Sequence, residues 1–309
     1  MQEMMKKILS GLIFFFCALS GIFAQSDPVF FQQTENRGII NPAATGKGGD
    51  INAAFGIRRQ WVGFPGPATQ VLTGSGFVKE IRSGFGLNWL SDEFGPQRTQ
   101  NIKINYAYFI PFEEKAFLSL GLGVGVFNNI YDESDFFARE NDDLSITYIK
   151  ESKMSPDFDF GFEFDTRYFE VGASVTHITY MFEDNNLLRP LRNFYVYTRG
   201  KIPIDKYWDF IPGITWHNAQ KLNTYELSAA FRYNNNIRVN LTYRNPGTLG
   251  IAAGITVYRG IRFAYSFDYG IDKLSRYNNG SHEVFVSYNV PINTTYVRSK
   301  LRFFRWKMF

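Results

Sequence analysis

The chain has 309 residues, of which 45% are hydrophobic, 18% are aromatic and 20% are charged, and its formal net charge is +4. This composition excludes a disordered chain and a collagen-like fibre, and a single cysteine excludes a disulfide-knit module and a Cys-ligated zinc or iron–sulfur protein. The cations are scattered among 29 acidic residues, so the chain lacks the dense basic stripe that binds nucleic acid.

The first 24 residues have the pattern of an export signal. A short positive segment ends at Lys7, residues 8–23 are almost wholly apolar, and Ala24 precedes a plausible cleavage point. This run is shorter than the roughly 20 residues of a spanning helix. Cleavage would also remove Cys17, so we expect a cleaved signal peptide at 1–24 and an exported chain without a thiol.

Apolar and polar residues then alternate with a period of two, which is typical of strands with one apolar and one polar face. The segment 157–165, with four Phe residues interleaved with acidic residues and Gly, shows this pattern clearly. The predicted strands are 51–59, 68–78, 82–91, 98–110, 115–127, 157–165, 168–177, 192–202, 207–217, 223–233, 236–244, 248–258, 261–270 and 280–290.

Strands of roughly 10 residues, tilted by about 40°, match the apolar band of a membrane barrel. The connections between them alternate between longer and shorter, as in a chain that crosses one slab repeatedly. We therefore predict an all-β fold, a transmembrane antiparallel outer-membrane β-barrel of about 14 strands. The predicted divisions are the signal peptide, a periplasmic segment at 25–50, the barrel at 51–290 and a basic, aromatic, periplasmic tail at 291–309. A soluble β-sandwich is the alternative, and it would have shorter strands.

The predicted inner wall carries charges of both signs and several glycines. Cross-strand ion pairs are the favoured role of these charges, and a selective pore is the alternative. The inward charges are Lys103, Asp159, Glu163, Glu170, Arg199, Glu226, Arg232, Arg238, Arg244, Arg262, Asp268 and Glu283. The glycines at 84, 86, 121, 123 and 125 leave room for a loop, a plug or a partner segment, or for a water-filled channel.

No pattern in the sequence points to catalysis, a metal or a cofactor. His177, His217 and His282 lack the paired spacing of a zinc site, and we expect each near a strand end at the membrane interface. Ser281, His282 and Glu283 are adjacent on a strand, so their side chains cannot converge as a triad. Six acidic residues in the longest predicted connection, 128–156, lack the spacing of a calcium loop. These are Asp132, Glu133, Asp135, Glu140, Asp142 and Asp143.

A family resemblance is carried by blocks spread over nearly the whole mature chain. The blocks are Asn41-Pro42-Ala43, Arg58-Arg59-Gln60-Trp61-Val62-Gly63-Phe64-Pro65-Gly66-Pro67, Thr69-Gln70, Gly84-Phe85-Gly86, Asp92, Gly95-Pro96, Tyr106-Ala107-Tyr108 and Gly280-Ser281-His282-Glu283. In this order they resemble the PorP/SprF family of outer-membrane proteins of type IX secretion and gliding in Bacteroidetes. The tail after Pro291 departs from shorter members, which end near the last strand.

The resemblance implies a non-catalytic outer-membrane component, multi-pass and without cofactor, that works beside other type IX components. These would be a periplasmic ring lipoprotein or peptidoglycan-binding adaptor, or a cognate surface adhesin. We expect outer-membrane lipid around a monomeric barrel and no nucleic-acid partner. A general diffusion porin or small-solute transporter is the alternative function. The candidate partner-contact residues are Trp61, Phe64, Arg298, Lys300, Arg302, Arg305 and Lys307.

Overall fold

The computed structural model describes most of the chain downstream of the predicted signal peptide. The described residues are 30, 36–113, 116–132, 150–178, 190–219, 222–258, 260–271 and 273–290. The predicted signal peptide and the tail at 291–309 lie outside them. Within these ranges, no helix has the length and apolar character needed to cross a membrane.

Antiparallel strands make up nearly all of the described chain. They are β1 (Ile51–Arg59), β2 (Ala68–Val78), β3 (Ser83–Phe94), β4 (Gln97–Glu113), β5 (Ala116–Asp132), β6 (Lys150–Thr166), β7 (Phe169–Thr176), β8 (Asn193–Gly200), β9 (Ile202–Pro203), β10 (Trp208–Ala219), β11 (Leu222–Tyr233), β12 (Ile237–Arg244), β13 (Thr248–Tyr258), β14 (Ile261–Gly270) and β15 (Ser281–Val290).

The sheet closes on itself. Each strand pairs with its sequence neighbour, and β1 pairs with β15 from Ile51 opposite Val290 to Arg59 opposite His282. The short β9 and β8 both pair with β10, so they form one wall position that is interrupted at Lys201. The described chain therefore forms a closed antiparallel barrel of 14 wall positions, and the predicted fold is confirmed.

The predicted strands agree with the observed ones except in the hairpin of β5 and β6. These strands continue pairing up to Asp132 opposite Lys150, so the connection predicted at 128–156 shrinks to 133–149. A salt bridge of 2.7 Å joins the Lys150 and Asp132 side chains, and Ser152 Oγ donates to Asn128 Oδ1. Polar residues on both faces of this extension hide the period of two, which explains why the sequence did not predict it.

The longer connections lie at one end of the barrel. The strand ends that border the longer connections, β1 to β2, β5 to β6, β7 to β8 and β14 to β15, are all at this end. At the other end, the fully described connections are the short turns at 79–82, 167–168, 204–207 and 234–236. Outer-membrane barrels place their longer loops outside the cell and their short turns in the periplasm. The long-loop end is therefore the outer end.

Apolar side chains face outward and polar side chains face inward. On β6, Phe158, Phe160 and Phe162 are exposed on the outer surface, whereas Asp159 and Glu163 are buried inside. This is the reverse of a water-soluble sandwich, in which the apolar face is buried. The outer face is therefore suited to contact with lipid, and the polar face lines the interior of the barrel.

Candidate functional site

The lumen is occupied by the segment that precedes the first strand. Residues 36–47, here called the plug, contain two short 3₁₀ turns, Arg37–Ile39 and Pro42–Ala44. Asn41 caps the second turn by accepting a hydrogen bond of 2.9 Å from the Ala43 N–H. Its amide nitrogen donates to Phe162 O at 3.1 Å and to the Tyr197 hydroxyl at 2.9 Å. The Asn-Pro-Ala block is thus the anchor of the plug on the inner wall.

Glycines on the inner wall make room for the plug. A Cβ atom on Gly121 would lie 2.0 Å from Ala43 N, and one on Gly84 would lie 2.0 Å from Thr45 O. On Gly161 it would lie 2.1 Å from Asn41 Oδ1. No side chain fits at such distances, so the prediction that wall glycines admit a plug is confirmed for Gly84 and Gly121.

The other predicted wall glycines make room for different groups. A Cβ on Gly86 would lie 2.6 Å from Thr45 Cγ2, so this position also faces the plug. On Gly123 and Gly125 it would meet wall residues, including Asn105 Oδ1 at 2.8 Å and Ile102 O at 2.1 Å. The glycine row therefore serves both the plug and the close packing of wall side chains.

Ion pairs hold the plug to the wall, and we call this group the latch: Arg37, Lys47, Glu163, Asp165 and Glu170. Arg37 lies 3.1 Å from Glu163 and 2.5 Å from Glu170. Lys47 Nζ lies 2.5 Å from Glu163 and 3.1 Å from Glu170, and it also contacts Asp165. All five side chains are buried. Removing either plug cation would leave the buried carboxylates with less compensation.

The two plug cations remain charged over the physiological range. Burial disfavours a cation and by itself would lower the pKa of Arg37 and Lys47. The carboxylates of Glu163, Glu170 and Asp165 outweigh burial and raise the pKa of both groups above their ordinary values. The two cations of the latch are therefore permanent charges.

Further ion pairs line the rest of the lumen. Arg58 lies 2.7 Å from Asp268, Lys103 lies 2.7 Å from Asp159, and Arg244 lies 2.6 Å from Glu226. Three other predicted inward charges also form ion pairs: Arg199 with Glu170, Arg232 with Asp209, and Glu283 with Arg58. Arg238 and Arg262 are buried. The preferred prediction, structural ion pairing, is confirmed for the inward charges that form these ion pairs.

Three latch carboxylates are close enough together to hold one metal ion. Oxygen atoms of Glu163, Asp165 and Glu170 all lie within 4.8 Å of one another. However, the Nζ atoms of Lys47 and Lys201 lie 2.5 Å from Glu163 and Asp165 respectively, so ammonium groups take the cation's place. The three carboxylates therefore form a salt-bridge cluster with these lysines.

The three histidines lie near strand ends as predicted, but two of them face the lumen. His177 Nδ1 lies 2.8 Å from Asp157, and the His217 ring stacks on Tyr195 with a centroid distance of 4.4 Å. His282 is on the outer surface, where its Nδ1 lies 2.6 Å from the Tyr265 hydroxyl.

Alternation along β15 separates the residues of the triad-like block. Ser281 and Glu283 are buried in the lumen, whereas the His282 ring faces outward and contacts Phe267 at a centroid distance of 5.1 Å. These three side chains therefore do not converge, as the alternation predicts.

The predicted contact residues Trp61 and Phe64 lie in the outer loop 60–67. Trp61 has a left-handed backbone with φ 54°, and its N–H donates to Ser281 Oγ at 3.2 Å. Phe64 is exposed. The plug itself is built from residues 36–47 and does not include this loop.

Other predicted positions differ or lie outside the described residues. The segment 25–50 was expected in the periplasm, yet residues 36–47 lie inside the barrel, because the wall glycines and carboxylates receive them there. Arg298, Lys300, Arg302, Arg305 and Lys307 lie outside the described residues, as do all the acidic loop residues except Asp132.

The sequence did not identify the plug itself. The signal was present as an Asn-Pro-Ala cap between two cations, but the partners of those cations are far along the chain. Arg37 and Glu163, for example, are 126 positions apart.

A closed barrel with an apolar outer face and a polar, charged interior defines an outer-membrane β-barrel protein. The family described as type IX secretion system membrane protein PorP/SprF matches residues 22–288, and the chain belongs to that family. It is accordingly a membrane component of type IX secretion. No curated protein matches the chain.

Solved structures with a similar fold are also outer-membrane barrels. The CymD monoaromatic hydrocarbon channel is 12% identical, with a TM-score of 0.51 over 89% of this chain and 96% of that one. The toluene transporter TbuX of Ralstonia pickettii is 8% identical, with a TM-score of 0.51 over 82% of this chain and 93% of that one. At these identities the likeness concerns the fold alone.

Proposed function

We propose that the protein is a non-catalytic scaffold of type IX secretion, which docks periplasmic machinery or assists the surface export of cargo or an adhesin. The single observation that supports this proposal is the plug, which is latched inside the lumen by Arg37 and Lys47. Two buried cations and several wall glycines hold the amino-terminal plug inside the barrel. Such a barrel is better suited to a rigid anchor than to a conduit.

A disulfide between the plug and the barrel wall, here called the lock, distinguishes a scaffold from a conduit. Thr45 Cγ2 lies 2.6 Å from the position of a Cβ on Gly86, so Thr45→Cys together with Gly86→Cys would bring two thiols to bonding distance. The only native cysteine, Cys17, is in the predicted signal peptide. We expect type IX secretion to be as efficient with the oxidised lock as with the reduced one.

The alternative function, a porin or small-solute transporter, predicts the opposite result. If solute uptake or export needs the plug to move, the oxidised double variant fails and dithiothreitol restores it. Each single variant, Thr45→Cys and Gly86→Cys, is the matched control for damage by the substitutions themselves.

We propose that docking takes place on the periplasmic side. Because the turns there are short and offer little binding surface, another segment must supply the contact. The basic tail at 291–309 is the proposed contact, with Arg298, Lys300, Arg302, Arg305 and Lys307 as its cations. Truncation after Val290 should reduce copurification of periplasmic type IX components while the barrel still inserts. Unchanged copurification and secretion would remove the tail from the proposal.

A further inference from the structure

Two family blocks meet where β1 pairs with β15, and each block places one residue on the outer surface of the barrel. Arg58 and Arg59 end β1, and His282 and Glu283 begin β15. The strands are in register with Arg58 opposite Glu283 and Arg59 opposite His282. Arg58 and Glu283 turn inward and form an ion pair of 3.4 Å. The other two residues of the blocks therefore face outward side by side.

We propose that Arg59 and His282 bind the phosphate group of a lipid in the outer leaflet. Side chains directly opposite each other on antiparallel strands have Cβ atoms about 4.5–5.5 Å apart, so both can reach one phosphate. The guanidinium supplies charge and a planar pair of donors, and the imidazole supplies a further donor. Neither residue is paired directly with a carboxylate across the sheet: Arg59 is opposite His282 and Ala68, and His282 is opposite Arg59 and Phe267.

Tyr265 orients the imidazole. Its hydroxyl lies 2.6 Å from His282 Nδ1 on the exposed face. When this hydroxyl donates to Nδ1, the neutral ring carries its hydrogen on Nε2, which is then the donor available to an anion. Tyr265 is therefore a positioning residue for the proposed site. Gln70, exposed on β2 and diagonal to Arg59, offers an amide donor in reach of the same group.

The position of the pair specifies a lipid as the ligand. Ile57 precedes Arg59 on the outward face and is 42% exposed, and the outward Tyr265 is 47% exposed. The cation and the imidazole thus lie at the outer border of the apolar belt, where headgroups meet acyl chains. A ligand that satisfies both surfaces has an anionic head and an apolar tail.

The exposed Arg98 provides a matched control. It lies at the start of β4, at the same end of the barrel, and is half exposed like an ordinary surface arginine. Its guanidinium lies 3.0 Å from Glu93, so its charge is already neutralised by the chain. Replacing it should not affect a phosphate that binds beside β1.

Native mass spectrometry of the full mature barrel in detergent tests the proposal, with diphosphoryl lipid A as the probe. We expect Arg59→Ala to weaken the lipid adduct by roughly tenfold, the typical effect of losing one charged hydrogen bond. His282→Ala should weaken it as well, Tyr265→Phe to a smaller extent, and Arg98→Ala not at all. Unfolding temperatures of the variants exclude loss of the barrel as the cause.

Three results would overturn the proposal. The first is lipid A binding that is equal in the wild type and the Arg59→Ala, His282→Ala double variant. The second is equal binding of lipid A and zwitterionic phosphatidylcholine, and the third is competition by millimolar inorganic phosphate alone, which would identify a free-anion site. None of these results bears on the scaffold function, since secretion is not measured.

Discussion

At the residue scale, the wall glycines are the most demanding positions in the barrel. Gly121 has no room for a single methyl group, because the backbone of Ala43 occupies that space. Gly74, also on a strand, has nothing within 4 Å of an added Cβ. The difference between these two positions measures the contribution of the plug contact, since both lose the same backbone freedom.

Gly121→Ala should therefore unseat the plug or strain the wall. We expect a destabilisation of about 1–3 kcal/mol, as in other overpacked interiors, whereas Gly74→Ala should be close to neutral. Thermal unfolding of both purified variants measures the difference. Equal stability would mean that Ala43 does not pack on the wall.

The latch lysine gives a second prediction at this scale. Lys47→Ala leaves the carboxylates of Glu163, Asp165 and Glu170 with less compensation, and it should cost about 3–5 kcal/mol. Arg98→Ala, which removes a solvent-exposed partner of Glu93, should cost no more than about 1 kcal/mol. Chemical denaturation compares the two. A cost for Lys47→Ala as small as that of the surface variant would contradict a buried latch.

The pKa of Lys47 sets the pH range of the latch. Seating in the lumen raises this pKa above its ordinary 10.5, so the ion pairs contribute fully below that pH and are lost only as pH rises past the raised value. Between about pH 7 and pH 10 the plug should stay seated. Protease accessibility of the plug across this range checks the expectation, and release below pH 10 would contradict it.

At the scale of elements, the strands could be predicted and the plug could not. The period of two in segments such as 261–270 has a local cause, because one face meets lipid and the other a polar lumen. The plug depends on contacts that only barrel closure creates, such as Asn41 with Phe162 and Tyr197. Sequence reasoning found the room that the glycines leave but not the segment that fills it.

Replacing the plug tests it as an element. Exchanging residues 36–47 for a Gly/Ser linker of equal length removes the two cations and the cap while keeping the barrel strands. The variant should insert as a barrel, because the strand pairing from β1 to β15 does not involve the plug. Failure to assemble would show instead that the plug is needed for barrel folding.

At the scale of the whole molecule, one barrel combines an apolar outside with a charged inside. The closed sheet satisfies its own backbone groups, as any structure in lipid must. The paired charges and the plug lie inside the lumen. Family membership could be recognised from the blocks around Trp61 and His282. Only the structure shows that these two blocks meet where β1 pairs with β15.

Single-channel recording in planar bilayers tests most directly whether the lumen is sealed by the chain's own amino-terminal segment. A sealed lumen predicts no stable current from the wild-type barrel and steady, ion-conducting steps from the variant with the Gly/Ser linker at 36–47. Stable currents of equal size from both proteins would show that the plug does not close the barrel.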